Sequence, residues 1–373
     1  MIKNKNMANF FLLLFAIFIL FNLVIFPKEI LTASSEGILL WFDVVFPSLF
    51  PFLVTVNIIT LTGGDRALGF LLSPIVKKLF RVSSRGSMPF LLGFLSGYPV
   101  GAKIVYDLDK RDNLSQIESQ RIMSFSNNPS LLFVIGTVAT GMLNNNILGY
   151  ILILSTFISS ILCGIVFRFY GQENYNSNYE KTSYNKHMSI GQTLNESVSS
   201  ALSTISVIGG FIIFFYVFSA SLKICGLLDG LSNILCVLSS NKLPAEFFNA
   251  VLMGILEMTC GIRALCQTNT PIEIILPTIS ALLYFGGFSI LAQTMSIISE
   301  TKVKIHVYIL SRILGALFAF IICSLLIKLL PVSINQTANV ISVAPIPFSN
   351  NFKSSLIISI FILFVCAKEK LKS

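Results

Sequence analysis

Charged residues are scarce in this chain. Asp, Glu, Lys and Arg make up 12% of its 373 residues, while hydrophobic residues make up 54%. A soluble globular domain has about 25% charged residues, so this sequence lacks the polar side chains that would cover its surface in water. The composition therefore predicts an all-α, polytopic membrane protein. Because a spanning helix needs about 20 apolar residues, the chain has room for roughly eight to ten transmembrane helices.

Acidic residues are fewer than basic residues: the chain has 17 Asp and Glu and 26 Lys and Arg, which gives a net charge of +9. In an apolar chain this excess indicates membrane orientation by the positive-inside rule, and no nucleic-acid partner is expected. The basic segment Lys77–Arg85, the N-terminus with its lysines, and the C-terminal tail are predicted to be cytoplasmic. The topology past residue 85 is otherwise left open.

The sequence also lacks the patterns of a metal or catalytic centre. Its seven cysteines form no CxxC pair, and His187 and His306 share no spacing with other ligand types. No metal, disulfide framework or other cofactor is therefore expected. An intramembrane enzyme would need a nucleophile and base, but no Ser/Lys, paired Asp or HExxH arrangement stands out. We expect a protein that is not an enzyme.

Long apolar runs are abundant instead. The first, Phe10–Phe26, lacks a small-residue cleavage site and is interpreted as a retained span rather than a signal peptide. Residues 67–80 are short and end in paired lysines, which favours an interfacial or re-entrant helix. Further candidate spans cover residues 37–62, 88–106, 129–143, 147–169, 198–222, 224–240, 245–262, 272–298, 305–330 and 354–367.

These runs predict two halves joined by a polar linker rich in Asn, Tyr and Ser. The predicted segments are an N-terminal transmembrane helix at residues 1–30, a first repeat at 37–169, the linker at 170–196, a second repeat at 197–330, and a C-terminal transmembrane helix with a basic tail at 354–373.

Matching landmarks in the two halves indicate an internal repeat. GFLSGYPVGAK (Gly93–Lys103) aligns with GILEMTCGIR (Gly254–Arg263). Transporters are often built from repeats whose broken helices meet at the substrate site. Whether these repeats are parallel or inverted stays open. The aligned pairs are Gly93 with Gly254, Gly101 with Gly261, Lys103 with Arg263, Ser130 with Ser289, and Tyr150 with Tyr308.

Several apolar runs contain helix-breaking segments. One run is interrupted by Gly93, Gly97, Pro99 and Gly101. The polar turn Ser126–Ser130 leads into another run, and Gly286–Gly287 interrupts a third. A broken spanning helix exposes backbone groups that lipid cannot satisfy, so each break belongs inside the protein beside a cavity. The free N–H groups after the polar turn favour an anion. Close helix packing is the alternative for any single glycine.

Four charged residues lie inside apolar runs. A charged side chain is energetically unfavourable inside a membrane, so each of them indicates a functional site. Lys103 and Arg263 lie at matching repeat positions just after breaks. They are therefore predicted to bind a carboxylate or phosphate together with the helix ends. Snorkelling toward the membrane surface is an equal alternative for Lys103 and the expected behaviour of Arg312. Glu257 is expected to pair with a basic residue or to accept a coupling proton.

Five segments of the chain resemble a known family: FPSLFPFLV, GFLSGYPVGAKIVYDL, SFSNNPSLLFVIGTVATGML, GILEMTCGI and FGGFSILAQ. The resemblance covers about residues 40–330 and is to the family of the sporulation integral membrane protein YlbJ, which carries the Gate or nucleoside-recognition domain. It implies two Gate-like repeats. It also implies that the chain moves dipicolinic acid, a planar dicarboxylate, across the outer forespore membrane during sporulation.

The expected function is therefore transport of a small organic anion, with a non-transporting scaffold or gate partner of a sporulation or transport complex as the alternative. Expected partners are a small anionic substrate, with dipicolinate suspected, and the lipid bilayer of the cell membrane or outer forespore membrane. A homo-oligomer is left open. The predicted substrate-binding residues are Gly97, Tyr98, Pro99, Gly101, Lys103, Asn127, Asn128, Glu257, Arg263, Ser289 and Gln293.

Overall fold

The apolar runs of the sequence form helices. The computed structural model describes residues 2–62, 64–112, 114–171 and 188–329, and these residues contain no β-strand. The prediction of an all-α protein is confirmed. The predicted C-terminal helix and tail at 354–373 lie outside the described residues, as does most of the predicted linker.

The described α-helices range in length from 9 to 35 residues. The first half contains α1 (Ile2–Ile25), α2 (Pro27–Leu40), α3 (Phe46–Leu61), α4 (Gly64–Phe80), α5 (Ser87–Ser96), α6 (Val100–Asp112), α7 (Gln116–Ser126) and α8 (Asn146–Phe167), with π-helical segments at Trp41–Val45 and Phe133–Met142. The second half contains α9 (Ile190–Ile224), α10 (Leu227–Leu238), α11 (Ala245–Leu256), α12 (Met258–Cys266), α13 (Ile272–Phe285), α14 (Gly287–Ile298) and α15 (Ile305–Leu329).

Four described segments are long and apolar enough to cross a membrane: α8, α9, the pair α13–α14 over Ile272–Ile298, and α15. The pair α1–α2, bent by 110°, provides a fifth if it forms one broken span. Large hydrophobic side chains of α15, such as Leu317 and Leu325, are exposed, which suits contact with lipid tails. The polytopic membrane prediction is confirmed, although several predicted runs are divided into shorter helices.

Two predicted boundaries differ in the structure. The residues between the predicted spans at 10–26 and 37–62 are helical, because α2 begins at Pro27 and helical backbone continues into α3. Proline suits the first turn of a helix, where its missing N–H would have no helical partner. The predicted linker ends before residue 196, since Ser189 and Gln192 form a capping box that starts α9 at Ile190.

The helix α4 covers the predicted interfacial segment. Lys77 and Lys78 lie in its last turn, as the sequence pattern indicated, and Val76 and Phe80 are fully buried. One face of α4 therefore packs onto the protein interior. Its position at a membrane interface stays a prediction.

Two pairs of short helices form hairpins whose backbones touch. In the first, α5 and α6 pack so closely that a Cβ atom on Gly93 would lie 3.2 Å from the Gly101 Cα. In the second, α11 and α12 pack with Gly261 against Gly254, and a side chain on Gly261 would collide with the Gly254 backbone. The predicted repeat aligns these two glycine pairs. We call α5–α6 hairpin 1 and α11–α12 hairpin 2.

Candidate functional site between the hairpins and the broken helices

The turn of hairpin 1 reaches the second half of the chain. Gly97 has a φ of +82°, a left-handed conformation that glycine adopts readily, and a Cβ there would lie 2.7 Å from the Ser130 backbone nitrogen. The buried Tyr98 donates its hydroxyl hydrogen to the Leu283 carbonyl oxygen at 2.5 Å, and its oxygen lies 3.1 Å from the Met258 sulfur. Tyr98 thus connects hairpin 1 to α13 and to hairpin 2.

The non-helical segment after α7 packs on hairpin 1. The Ser126 carbonyl oxygen lies against Gly93 and Gly101, and a Cβ on either glycine would collide with it. Pro99, two residues before Gly101, is also buried. The predicted break at Ser126–Ser130 is confirmed, and close backbone approach explains why position 101 needs glycine.

Two asparagines in this break bond to different parts of the protein. Asn127 donates from Nδ2 to the Tyr308 hydroxyl at 2.6 Å and to Thr294 Oγ1 at 3.1 Å. Asn128 donates to a carbonyl oxygen of α7 at 2.7 Å and to Ser160 Oγ at 3.2 Å. Asn127 therefore joins the break to the second half, whereas Asn128 holds the first half together.

The break between α13 and α14 repeats this arrangement on hairpin 2. Gly286 and Gly287 have φ values of +83° and +74°. A Cβ on Gly287 would lie 3.0 Å from the Gly254 carbonyl oxygen, so the break packs on hairpin 2. Downstream, the buried Gln293 donates to Ser289 Oγ at 3.3 Å. The predicted interruption of this span is confirmed.

Glu257 forms the turn of hairpin 2. Its side chain is 2% exposed and accepts a hydrogen bond from the Cys260 backbone N–H at 2.7 Å, which caps the N-terminus of α12. A carboxylate is favourable there because helix N-termini carry partial positive charge. Among the described residues, no salt bridge joins Glu257 to Lys103 or Arg263.

The structure does not bring the two aligned cations to one buried site. Lys103 donates from Nζ to Ser200 Oγ at 2.7 Å and to Thr204 Oγ1 at 3.3 Å, both on α9. Arg263 is exposed on α12. Lys103 and Arg263, which the repeat aligns, therefore have different surroundings. The helix α9 packs over Lys103 on hairpin 1, whereas Arg263 on hairpin 2 is exposed.

The expectation that Arg312 snorkels is wrong. Its side chain is 1% exposed, and Nη1 donates to the Asn127 carbonyl oxygen at 2.5 Å. The guanidinium carbon lies 4.2 Å from the centroid of the Tyr284 ring. The helix break after α7 leaves a carbonyl oxygen that attracts the guanidinium inward. The burial of Arg312 had one indication in the sequence. A charged residue two turns into a 25-residue apolar helix is unfavourable in lipid, which favours a position inside the protein.

Several buried polar atoms near these breaks have no hydrogen-bond partner within the described chain. Buried polar groups are normally paired, so these atoms are available to a ligand or to ordered water. Together they offer both donors and acceptors, which suits a polar organic molecule. No group of three or more described His, Cys, Asp or Glu side chains could hold a metal ion. The atoms are Asn127 Oδ1, Asn128 Oδ1, Gln293 Oε1 and Arg312 Nη2.

This architecture defines a class: a polytopic α-helical membrane protein with two hairpins packed on two broken helices. The sporulation integral membrane protein YlbJ of Bacillus subtilis (strain 168) is 31% identical over 345 residues, which cover 88% of this chain and 83% of that protein. The chain belongs to the sporulation integral membrane protein YlbJ family.

Two further comparisons add no functional information. No family model matches the chain, so the Gate-domain description stays a prediction. A solved structure of a CNTnw variant in its intermediate 1 state is 14% identical and has a TM-score of 0.42, covering 87% of this chain and 85% of that one.

Proposed function

We propose that this protein transports a small organic anion across a membrane during sporulation. By family resemblance the substrate is dipicolinic acid and the membrane is the outer forespore membrane. The membrane assignment rests on the long apolar helices, and the link to sporulation rests on the relative from Bacillus subtilis.

The contact between Tyr98 of hairpin 1 and Met258 of hairpin 2 carries this proposal. Two helical hairpins whose turns touch inside an apolar protein place polar, non-helical backbone where lipid cannot reach. Transporters commonly build substrate sites from such discontinuous helices, because helix ends offer free N–H and C=O groups at mid-membrane depth.

We assign the substrate to the space between the hairpin turns and the breaks. Asn127, Asn128 and Gln293 would line this space, and their unpaired oxygens would accept hydrogen bonds from ordered water, since an ionised carboxylate offers them no donor. Gly97, Tyr98, Pro99, Gly101 and Ser289 would shape the site, and Lys103 and Glu257 would border it. Arg263 is the weakest member of the predicted set, because it is exposed.

Reconstitution into liposomes tests transport directly. We expect purified protein to accelerate uptake of labelled dipicolinate relative to protein-free liposomes, and excess unlabelled dipicolinate to compete. The scaffold alternative predicts uptake equal to that of empty liposomes. Folded, correctly inserted protein that moves no dipicolinate would contradict the proposal.

A further inference from the structure

Arg312 carries a buried positive charge that the described part of the chain does not neutralise. Its guanidinium stays protonated in proteins, and its side chain is 1% exposed. No salt bridge of the described residues includes it. The two acids that are buried among the described residues are engaged elsewhere, because Glu257 caps α12 and Asp109 accepts from Ser119.

Arg121 shows how the same protein satisfies a buried structural arginine. It is 5% exposed, and its guanidinium donates to three backbone carbonyl oxygens, those of Arg81, Tyr170 and Gly171. Arg312 has one carbonyl partner, on Asn127, while its Nη2 has none. Its guanidinium therefore keeps a donor for a group that the described chain does not supply.

The surroundings of Arg312 restrict what that group can be. The Tyr284 ring lies against the guanidinium and Nη1 is taken by the Asn127 carbonyl oxygen, so a ligand would bind at Nη2. A carboxylate oxygen suits this single donor, because its negative charge strengthens the hydrogen bond. A neutral ligand would leave a buried charge unpaired, which is strongly unfavourable in a low-dielectric interior.

We propose that Arg312 selects the charge of the transported molecule: its free Nη2 donates to a carboxylate of the substrate while Nη1 holds the Asn127 carbonyl oxygen. This inference rests on the proposed transport function and adds the residue that makes the site specific for anions. The hydrogen bond to Asn127 connects substrate charge to the helix break that contacts hairpin 1.

The test compares dipicolinate with pyridine-2,6-dicarboxamide, a neutral molecule of similar shape. Binding to purified protein is measured by calorimetry, and uptake is measured in proteoliposomes. Arg312→Gln removes the charge and leaves a shorter, neutral side chain with an N–H donor, and Arg312→Lys keeps the charge. Lys328→Gln is the matched control, because it removes an exposed cation from the same helix.

We expect wild-type protein to prefer the dicarboxylate, and Arg312→Gln to weaken dicarboxylate binding about 10- to 100-fold, as for loss of a hydrogen bond to a charged group. Diamide binding should change little. Arg312→Lys should retain the preference with lower affinity, and Lys328→Gln should behave as wild type.

The other outcomes separate the two proposals. Unchanged charge preference in Arg312→Gln overturns the role of Arg312 while leaving transport intact. Wild-type protein that binds the dicarboxylate selectively but moves none overturns transport and leaves the role of Arg312. Binding of neither compound overturns both. Failure of both Arg312 variants to accumulate in the membrane assigns this residue to folding and also overturns the inference.

Discussion

The Tyr98 hydroxyl lies 3.1 Å from the Met258 sulfur, so the turns of the two hairpins touch inside the protein. The same hydroxyl donates to the Leu283 carbonyl oxygen on α13. One side chain therefore connects both hairpins and a broken span.

Replacing Tyr98 with phenylalanine removes the hydroxyl and leaves the Leu283 carbonyl oxygen without that donor. We expect a loss of about 1–2 kcal/mol in the free energy of unfolding, the usual effect of an unpaired buried acceptor. Thermal unfolding of the purified protein measures it. Tyr150→Phe is the control, because Tyr150 is 63% exposed. Equal stability of the two variants would show that the hydroxyl contact contributes nothing.

Gly101→Ala should disrupt hairpin 1, because its Cβ would collide with the Ser126 carbonyl oxygen. We expect membrane yield and dipicolinate uptake to fall together. Gly210→Ala is the matched control: this glycine is exposed on α9 and a Cβ there meets nothing within 4 Å. That variant should be unchanged or stabilised by up to about 1 kcal/mol through helix propensity. Comparable tolerance at both positions would contradict the packing seen in hairpin 1.

Lys103→Met should reduce dipicolinate uptake more than Arg263→Met. Lys103 is held against α9 by Ser200 and Thr204, whereas Arg263 is exposed. Methionine keeps most of the apolar length of lysine and removes its charge. Any fall in uptake therefore reports the lost charge rather than lost packing. Initial uptake rates per inserted molecule measure the difference. A larger loss in Arg263→Met would reverse this assignment.

Glu257→Gln should insert at wild-type yield, because an amide oxygen can still accept the Cys260 N–H. Glu257→Ala loses the cap and should lose about 1 kcal/mol of stability. If Glu257 accepts a proton during transport, the Gln variant will also show a flattened pH profile of uptake. A normal profile with normal transport would leave Glu257 as a helix cap alone.

The sequence predicted the breaks better than it predicted the partners of individual side chains. Gly97, Pro99, Gly286 and Gly287 lie where helices break or begin, through backbone chemistry that is local and visible in the sequence, whereas Gly101 lies inside α6 and serves close packing. The glycine pairs of the two hairpins were likewise found by aligning the halves. The helix breaks and the glycine pairs are both found in the structure, because they depend on residues that are close together in the sequence.

The surroundings of Lys103, Arg263 and Arg312 depended on distant parts of the chain. Lys103 bonds to α9, almost a hundred residues away, and Arg312 bonds to a carbonyl oxygen of the break at Asn127. Sequence position within an apolar run fixes neither contact. The repeat alignment therefore predicted two equivalent cations, although helix packing had made them different and had buried a third.

The length of α9 links the site to the bilayer itself. Its 35 residues extend about 52 Å, well beyond a hydrocarbon thickness of about 30 Å. Ile190 and Leu194 near its start are exposed, and tilting is the usual response of a helix that is longer than the hydrocarbon layer. Ser200 and Thr204, which hold Lys103, lie on this helix. Acyl-chain length in the surrounding membrane is therefore expected to shift the position of the Lys103 ammonium group.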